Sequence, residues 1–234
     1  MTVEIKGLIE ASLIDWPGRL ATVVFLPGCN LRCRYCHARD LVLSAHAMDT
    51  ISVDRIFEYL VTMDGWIDGV VISGGEPTLF ADLPKLASDI KRMNLAVKLD
   101  TNGTRPRVLQ YLISEGLIDA VAMDIKAPLD YRYFDVAQTV FDLDDVKRSI
   151  AAIMRSSIEY EFRTTVSPAL LSPTEISQIA ESISGARQYT LQPFNPHVCL
   201  DERMEEQPSC PASYLQDAAR LAGAFVKNVA IRAR

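Results

Sequence analysis

The feature that most constrains the fold is a regular alternation of short apolar runs with helical patterns. Six such runs predict buried strands; they are Thr22–Leu26, Gly69–Ser73, Ala96–Asp100, Ala120–Asp124, Tyr160–Thr165 and Gln188–Gln192. Between and after them, apolar residues recur three and four positions apart, as in Ile56 with Leu60 or Ile176 with Ile179, which predicts amphipathic helices. Six strands each followed by a helix imply parallel strands joined by right-handed crossovers.

This pattern is typical of α/β proteins, and periodicity alone leaves a doubly wound sheet and a full or partial barrel open. The 234 residues suit a single domain over 1–234, with a cysteine-bearing loop over about 27–40 and a C-terminal extension over about 195–234.

The sequence contains no run of about 18 apolar residues, so we expect no membrane-spanning helix. The first residues, Met1–Lys6, lack a basic stretch followed by an apolar run, so we expect no secretory signal and a cytoplasmic protein.

Polar residues and cysteines follow the carboxyl end of every predicted strand. In parallel α/β folds, ligands bind beyond these ends, so we expect the side chains to meet at one rim. The strand ends in question are Pro27–Cys29, Gly74–Pro77, Asp100–Gly103, Asp124 with Lys126, Arg163 with Thr165, and Gln192.

The formal net charge is −6, and this acidic balance argues against a nucleic-acid partner.

Three of the five cysteines, Cys29, Cys33 and Cys36, lie within eight residues. With no export signal expected, this spacing indicates metal binding or redox chemistry rather than a disulfide framework. A c-type haem site using Cys33, Cys36 and His37, or a redox C-x-x-C pair, would leave Cys29 unexplained. A structural zinc site needs a fourth ligand, for which the candidates are Cys199, Cys210 and His197. An iron–sulfur cubane held by three thiolates would keep one iron open to a substrate or cofactor.

The spacing Cys29-x3-Cys33-x2-Cys36, with Tyr35 before the third cysteine, resembles the signature of the radical S-adenosylmethionine (SAM) enzymes. The segment Gly74–Pro77 is similar to the GGEP segment of that family. Further segments resemble the glycyl-radical-enzyme activases, and most of all the anaerobic ribonucleoside-triphosphate reductase activating proteins, from about Gly7 to near Arg232. These segments are Ser12–Arg19, Asp100–Gly103, Met123–Lys126 and Leu191–Phe194.

The resemblance implies a partial (β/α)6 barrel with mostly parallel strands and two cofactors, a four-iron four-sulfur (4Fe-4S) cluster on the three cysteines and SAM. Gly74, Gly75 and Glu76 would hold the SAM amino group, with Glu76 adding negative charge beside it. The other residues implied to contact SAM lie at the strand ends and in the cysteine loop. Asp100, Thr101 and Asp124, with the Ala122 carbonyl, would contact SAM and also a monovalent cation. Asn102 would reach the ribose, Lys126 the carboxylate, and Tyr35 and His37 the adenine side. The remaining implied residues are Arg163, Thr165 and Gln192.

The implied activity is reductive cleavage of SAM to a 5′-deoxyadenosyl radical that abstracts hydrogen from a glycine of a glycyl radical enzyme. The implied partners are an anaerobic ribonucleotide reductase and a low-potential electron donor such as flavodoxin or ferredoxin. Two alternatives remain: a radical SAM enzyme acting on a small molecule, similar to 7-carboxy-7-deazaguanine synthase, and a non-catalytic zinc-binding module. Cys199 and Cys210 are too few for a second cubane, so we expect incidental thiols or a loop that faces a partner.

Overall fold

A computed structural model describes residues 3–232. Its eight strands form one sheet in the order β1 to β8; β1 is antiparallel to β2, and all other neighbours are parallel. The strands are β1 (Gly7–Ser12), β2 (Ala21–Leu26), β3 (Gly69–Gly74), β4 (Ala96–Thr101), β5 (Ala120–Asp124), β6 (Glu159–Val166), β7 (Tyr189–Pro193) and β8 (Val229–Ile231).

Helices connect the parallel strands, and local sequence signals start several of them. Ser52 caps the second helix by accepting a hydrogen bond from the Arg55 N–H, and Ser172 with Glu175 forms a capping box. No helix within residues 3–232 is long and apolar enough to cross a bilayer. The helices are α1 (Arg39–Leu43), α2 (Val53–Thr62), α3 (Leu83–Arg92), α4 (Pro106–Ser114), α5 (Arg132–Ala137), α6 (Leu143–Arg155), α7 (Pro173–Ser182) and α8 (Ala212–Ala222).

The strand order confirms the predicted partial (β/α)6 barrel. Neighbouring strands follow one another in chain order without a reversal, which excludes the doubly wound arrangement. The sheet stays open, with β1 and β8 at its edges. The six predicted strands are β2 to β7. The sequence reading missed β1, whose residues Gly-Leu-Ile-Glu-Ala-Ser are half polar and pair with β2 through a hairpin.

The two faces of the sheet differ in chemistry because successive side chains of a strand point to opposite sides. On the helix-covered face, residues such as Val24, Ile72 and Leu99 belong to the main apolar core. The concave face carries charged side chains instead, among them Lys98 and Asp100 on β4 and Glu161 and Arg163 on β6. Contacts between β4 and β6 pass over β5, whose concave-face residues Ala120 and Ala122 are small.

We call the carboxyl ends of β2 to β7 the upper end of the concave face and their amino ends the lower end. A small apolar cluster around Trp16, Val23 and Val71 lies in the lower part, beside a cavity of about 510 Å³. The connection between β1 and β2 covers this end, since the Trp16 indole N–H donates to Glu159 Oε2 at the start of β6 (3.3 Å). The upper end is therefore where the connecting loops carry the predicted site.

Candidate functional site

The cysteine loop, residues 29–39, leaves β2 at the upper end and approaches the loop after β3 very closely. The N–H groups of Gly75 and Glu76 donate to the carbonyls of Leu26 (2.9 Å) and Gly28 (2.8 Å). A Cβ on Gly75 would stand 1.8 Å from the Gly28 oxygen, and one on Gly74, whose φ is +121°, would stand 2.1 Å from the Leu26 oxygen. Only glycine allows this approach at both positions.

The cysteine loop is held from two sides by backbone hydrogen bonds. On one side, the N–H groups of Arg32 and Arg34 donate to the carbonyls of Ala137 (2.9 Å) and Val136 (3.1 Å) in α5. On the other side, the Asp201 N–H donates to the Arg34 carbonyl (3.0 Å). The path of the loop is thus fixed by segments distant in sequence.

All three thiols line one cavity of about 240 Å³ at the upper end, together with the ends of β3 to β6. Of the residues predicted to bind the cluster or SAM, only Glu76, Gln192 and Ala122 are not part of its lining. The remaining predicted residues do line it: Cys29, Cys33, Tyr35, Cys36, His37, Gly74, Gly75, Asp100, Thr101, Asn102, Asp124, Lys126, Arg163 and Thr165. Sequence reasoning missed Ser73, whose hydroxyl donates to Asp100 Oδ2 (3.2 Å).

Charged groups of opposite sign alternate across this cavity. Arg163 donates through Nε to Asp124 Oδ1 (2.8 Å) and through Nη1 to Asp100 Oδ2 (3.2 Å), and Lys126 donates to Asp124 Oδ2 (3.0 Å). Burial raises the pKa of Asp124, but the Arg163 guanidinium and the Lys126 ammonium outweigh it and hold that pKa well below its usual range. Burial lowers the pKa of Lys126, but the ionised Asp124 outweighs it, so that pKa lies well above its usual value and the ammonium stays protonated.

Two buried polar atoms beside the cavity lack a hydrogen-bond partner within residues 3–232. They are Oδ1 of Asp100, which is 3.9 Å from the Lys98 ammonium, and the hydroxyl of Tyr35. Buried polar groups are normally satisfied, so such atoms in a cavity lining indicate capacity for a ligand. The carboxylate oxygen suits a cationic or hydrogen-bond-donating group.

Burial keeps two of the thiols protonated. It raises the pKa of Cys33 to about 12 and also raises the pKa of Cys29. Metal coordination deprotonates such thiols. The Cys29 sulfur already accepts hydrogen bonds from the Leu31 N–H (3.4 Å) and the Asn102 side-chain amide (3.8 Å). These contacts favour a thiolate, because hydrogen bonds to an ionised acceptor are the stronger ones.

The donor set fits a 4Fe-4S cluster. Within residues 3–232 no disulfide joins any of the five cysteines, and three of them converge on one cavity. Within the described part of the chain, no group of three or more His, Cys, Asp or Glu side chains is placed to hold a single metal ion. On a cubane each thiolate binds a different iron, so its ligands need not share one ion position.

Glu76 is fully buried behind the cavity lining. Its Oε1 accepts from the Thr78 N–H (3.1 Å) and hydroxyl and from the Thr101 hydroxyl (2.8 Å), and its Oε2 accepts from the Asn102 N–H (2.6 Å). Burial raises the pKa of Glu76 despite these hydrogen bonds. The carboxylate thereby ties the loop after β3 to the end of β4.

Asn102 lines the cavity, and its amide group is the centre of a buried network. Its Oδ1 accepts from the Thr104 N–H (3.0 Å) and hydroxyl (2.7 Å), while its Nδ2 donates to Asn30 Oδ1 (2.9 Å) as well as to the Cys29 sulfur. Asn30 in turn donates to the Thr104 hydroxyl (2.8 Å). Sequence reasoning missed Asn30 and Thr104, although both are polar and lie at strand ends.

Comparisons with known proteins agree with this geometry. Residues 23–187 match the Radical SAM superfamily. The chain is 33% identical over 237 residues to a Methanocaldococcus jannaschii protein whose name places it among the glycyl-radical enzyme activating enzymes, covering 99% of this chain and 97% of that protein. It is 26% identical to the pyruvate formate-lyase-activating enzyme of Clostridium pasteurianum, over 82% of each chain. Streptococcus suis SuiB bound to SAM shares the fold, with a TM-score of 0.63 at 13% identity over 90% of this chain and 52% of that one.

Proposed function

The chain belongs to the radical SAM superfamily, and from this premise we propose that it is an activating enzyme that generates a glycyl radical on a partner enzyme. The observation that carries the proposal is the convergence of three thiols and four charged side chains on one cavity at the carboxyl ends of parallel strands. The names of its relatives support the activase group. We propose the whole chain, 1–234, as one such domain.

We propose that Cys29, Cys33 and Cys36 hold the cluster and that the peptide groups of Gly74 and Gly75 receive the SAM amino group. When bound there, a reduced cluster of this kind would supply the one electron that cleaves SAM to methionine and a 5′-deoxyadenosyl radical, and this radical would take a hydrogen atom from the partner's glycine. Lys126 provides a cation for the SAM carboxylate, and Asp100 provides a carboxylate oxygen that accepts no hydrogen bond from the described residues and suits a cationic group.

The other residues of the cavity keep this arrangement in place. Arg163 holds Asp100 and Asp124 at fixed positions on neighbouring strands. Thr101 and Asn102 are fixed through the buried Glu76 carboxylate. Tyr35 and His37 extend the cavity along the cysteine loop, where we propose that they border the adenine. Thr165 lines the cavity at β6, and Gln192, its register partner on β7, lies outside the lining.

The finer proposal concerns the partner and the donor. The motifs at Ser12–Arg19 and Leu191–Phe194 support an anaerobic ribonucleoside-triphosphate reductase as the glycyl radical enzyme. A low-potential protein such as flavodoxin or ferredoxin would supply the electron. A monovalent cation between Asp100, Thr101 and Asp124 is part of the same proposal, because hard oxygen ligands suit such an ion.

The first test is anaerobic reconstitution with iron and sulfide, reduction with dithionite in the presence of SAM, and an assay for 5′-deoxyadenosine. We expect product from the wild-type chain and none above background from Cys33→Ala, with Cys210→Ala as the matched control that keeps the activity. A second test mixes the reduced enzyme and SAM with an anaerobic ribonucleotide reductase and follows the glycyl radical by electron paramagnetic resonance.

Either test can contradict the proposal. A well-folded, fully reconstituted chain that does not cleave SAM would exclude the radical SAM activity. SAM cleavage coupled to turnover of a free metabolite, with no radical on the partner, would replace the activase by an enzyme acting on a small molecule. Bound zinc with no iron–sulfur absorption would favour the binding module.

A further inference from the structure

The connection between β7 and α8 is unusually long and lies beyond the part of the chain that matches the superfamily, which ends at residue 187. Connections of this kind usually span about two to six residues, and much longer ones are commonly functional. Its first part, residues 194–205, folds back over the cysteine loop; we call these residues the clasp.

Three contacts join the clasp to the cysteine loop on both sides of Cys36. Arg34 donates through Nε to Asp201 Oδ2 (2.8 Å), and the Asp201 N–H donates back to the Arg34 carbonyl (3.0 Å). Arg39 pairs with the exposed Glu202 (3.1 Å). The Arg34–Asp201 pair is the better shielded of the two ion pairs, with the side chains 27% and 13% exposed.

His37, the residue after Cys36, makes the third contact. Its Nδ1 lies 2.8 Å from the His197 carbonyl and 3.1 Å from the Val198 carbonyl. Carbonyls only accept hydrogen bonds, so this nitrogen carries the proton. Val198 has a φ of +49°, in the left-handed region that a β-branched residue rarely adopts. The strained residue thus lies where two successive carbonyls face one ring N–H, and such strain persists only when surrounding contacts enforce it.

The clasp is itself anchored. Cys199 and Met204 are buried, and the Cys199 N–H donates to Glu205 Oε1 (2.9 Å). Cys199 belongs to the main apolar core, so of the two expectations for this residue its burial favours an incidental thiol over a loop that faces a partner.

We propose that Asp201 is a positioning residue, which holds Cys36 in its ligand geometry through Arg34 and slows the loss of the cluster. The inference rests on the proposed function only in that the three cysteines hold a cluster. Groups behind a metal ligand that fix its orientation typically change metal affinity by about 10- to 100-fold when they are removed. Cys36 lies between the contacts of Arg34 on one side and those of His37 and Arg39 on the other. Removing the Asp201 carboxylate therefore leaves only backbone hydrogen bonds to hold Arg34.

The test uses the full chain with its cluster reconstituted anaerobically. We measure the rate at which iron passes to an added chelator, followed by the loss of iron–sulfur absorption. Asp201→Asn should release iron about 10- to 100-fold faster than the wild type. The matched control is Arg203→Met, because Arg203 is an exposed partner of the same carboxylate (2.9 Å) and does not contact the cysteine loop. This control should release iron within about twofold of the wild-type rate, as expected for an exposed pair.

A charge exchange separates positioning from general stability. In the Arg203→Met background, which removes the second cation beside position 201, Arg34→Asp combined with Asp201→Arg should restore slow release, whereas each single change should not. The melting temperature of the cluster-free chain should stay within a few degrees in all of them. If Asp201→Asn fails to fold, Arg34→Met breaks the same pair from the other side. Equal release rates for Asp201→Asn and wild type, or for Asp201→Asn and Arg203→Met, would overturn the role of Asp201.

The same experiment distinguishes failure of the inference from failure of the proposed function. A wild-type chain that folds but takes up no cluster would overturn both. If the wild-type chain holds its cluster and cleaves SAM, and Asp201→Asn leaves the rate of iron release unchanged, only the positioning role of Asp201 is overturned.

Discussion

At the upper end of the concave face Arg163 bridges Asp100 and Asp124, and at the lower end Glu161 bridges Lys98 and Arg232. Both sets contain buried charges held between β4 and β6. They differ in whether a carboxylate oxygen is left without a hydrogen bond. Glu161 accepts from Lys98 (3.3 Å), Thr190 (2.8 Å) and Arg232 (3.2 Å), so both of its oxygens are used.

The upper set leaves Asp100 Oδ1 without a hydrogen bond from the described residues, and its cavity has three thiols on one wall. The lower set lines a cavity of about 510 Å³ that the β1–β2 connection borders. There Trp16 packs against Gly69 and the Asp15 carbonyl accepts from Lys98 (2.5 Å). The same sheet face therefore uses buried charge in two ways: the lower end holds the barrel together, and the upper end keeps polar groups for a ligand. Substitutions should separate these roles.

The largest effect is expected from Gly75→Ala at the upper end. Its Cβ would collide with the Gly28 backbone and displace the start of the cysteine loop. Displacements of about 1 Å can cost about 10²-fold in rate, so we expect SAM cleavage to fall by at least that factor. The control is Gly223→Ala, where φ is −62° and the nearest atom is 3.4 Å away. Full cleavage by Gly75→Ala would contradict the tight packing of the two loops.

At the lower end, Glu161→Gln should reduce stability instead of activity. Removing one partner of a buried ion pair costs about 3–5 kcal/mol, because the other partner, here Lys98, keeps its buried charge. We expect that loss in urea unfolding of the cluster-free chain, with SAM cleavage per folded molecule unchanged. The control is Glu159→Gln on the same strand, where the side chain is 60% exposed. Such an exposed pair should cost less than about 1 kcal/mol. Lost cleavage at full stability would show that the lower end belongs to the site.

The same carboxylate predicts a pH dependence. Burial raises the pKa of Glu161, but Arg163, Lys98 and Arg232 outweigh it, so its pKa is lowered in the folded chain. A lowered pKa contributes stability above the usual carboxyl pKa, and that contribution is lost as the pH falls through the folded value. The stability difference between wild type and Glu161→Gln should therefore narrow on acidification. A difference in stability between the two that stays constant with pH would contradict an ionised Glu161 in the folded chain.

The sequence predicted the upper end better than the lower end, for a physical reason. Strands β2 to β7 are apolar runs, and Cys29, Cys33 and Cys36 are close in sequence, so local patterns predicted both. The Lys98–Glu161 pair joins residues 63 positions apart. It forms because small alanines on β5 let side chains from β4 and β6 meet. The residue pattern within a single strand does not indicate such a contact across a neighbouring strand. The clasp escaped prediction likewise, since Arg34 and Asp201 are 167 residues apart.

A smaller effect is expected from Glu76→Gln, which decides between two roles for that residue. A glutamine amide would place donors where Glu76 accepts from Thr78, Thr101 and Asn102. Buried groups left unsatisfied in this way cost about 1–3 kcal/mol. Urea unfolding measures that cost, and calorimetric titration measures SAM affinity. We expect SAM affinity to fall only in proportion to the loss of stability, because the loop after β3 is then held less firmly. A large loss of affinity at unchanged stability would place the carboxylate beside the SAM ammonium. The exposed Glu202→Gln serves as control for stability.

The smallest effect is expected from Thr104→Val, which removes one hydroxyl from the network behind Cys29. Without it, Asn102 Oδ1 loses a hydrogen bond of 2.7 Å and Asn30 loses its acceptor. The loss of such a hydrogen bond costs about 1 kcal/mol. The Asn102 amide keeps its hydrogen bonds with the Thr104 N–H and with Asn30 Oδ1, but it then holds its donor less firmly on the Cys29 sulfur. Hydrogen bonds to cluster sulfurs help set the reduction potential, and they favour the more negative reduced cluster, so the potential should shift to more negative values.

An anaerobic redox titration followed by electron paramagnetic resonance measures that shift. Thr104→Ser keeps the hydroxyl and should retain the wild-type potential. Ser149→Ala removes the hydrogen bond to the Gly103 carbonyl (2.6 Å) in the same turn without touching Asn102, so it should cost similar stability with no change in potential. If Ser149→Ala moves the potential as far as Thr104→Val, loosening of the turn is the cause and the Asn102–Cys29 contact is not. If only Thr104→Val moves it, the network reaches the cluster through that amide, and the upper end uses neutral hydrogen bonds to tune its ligand in addition to its ion pairs.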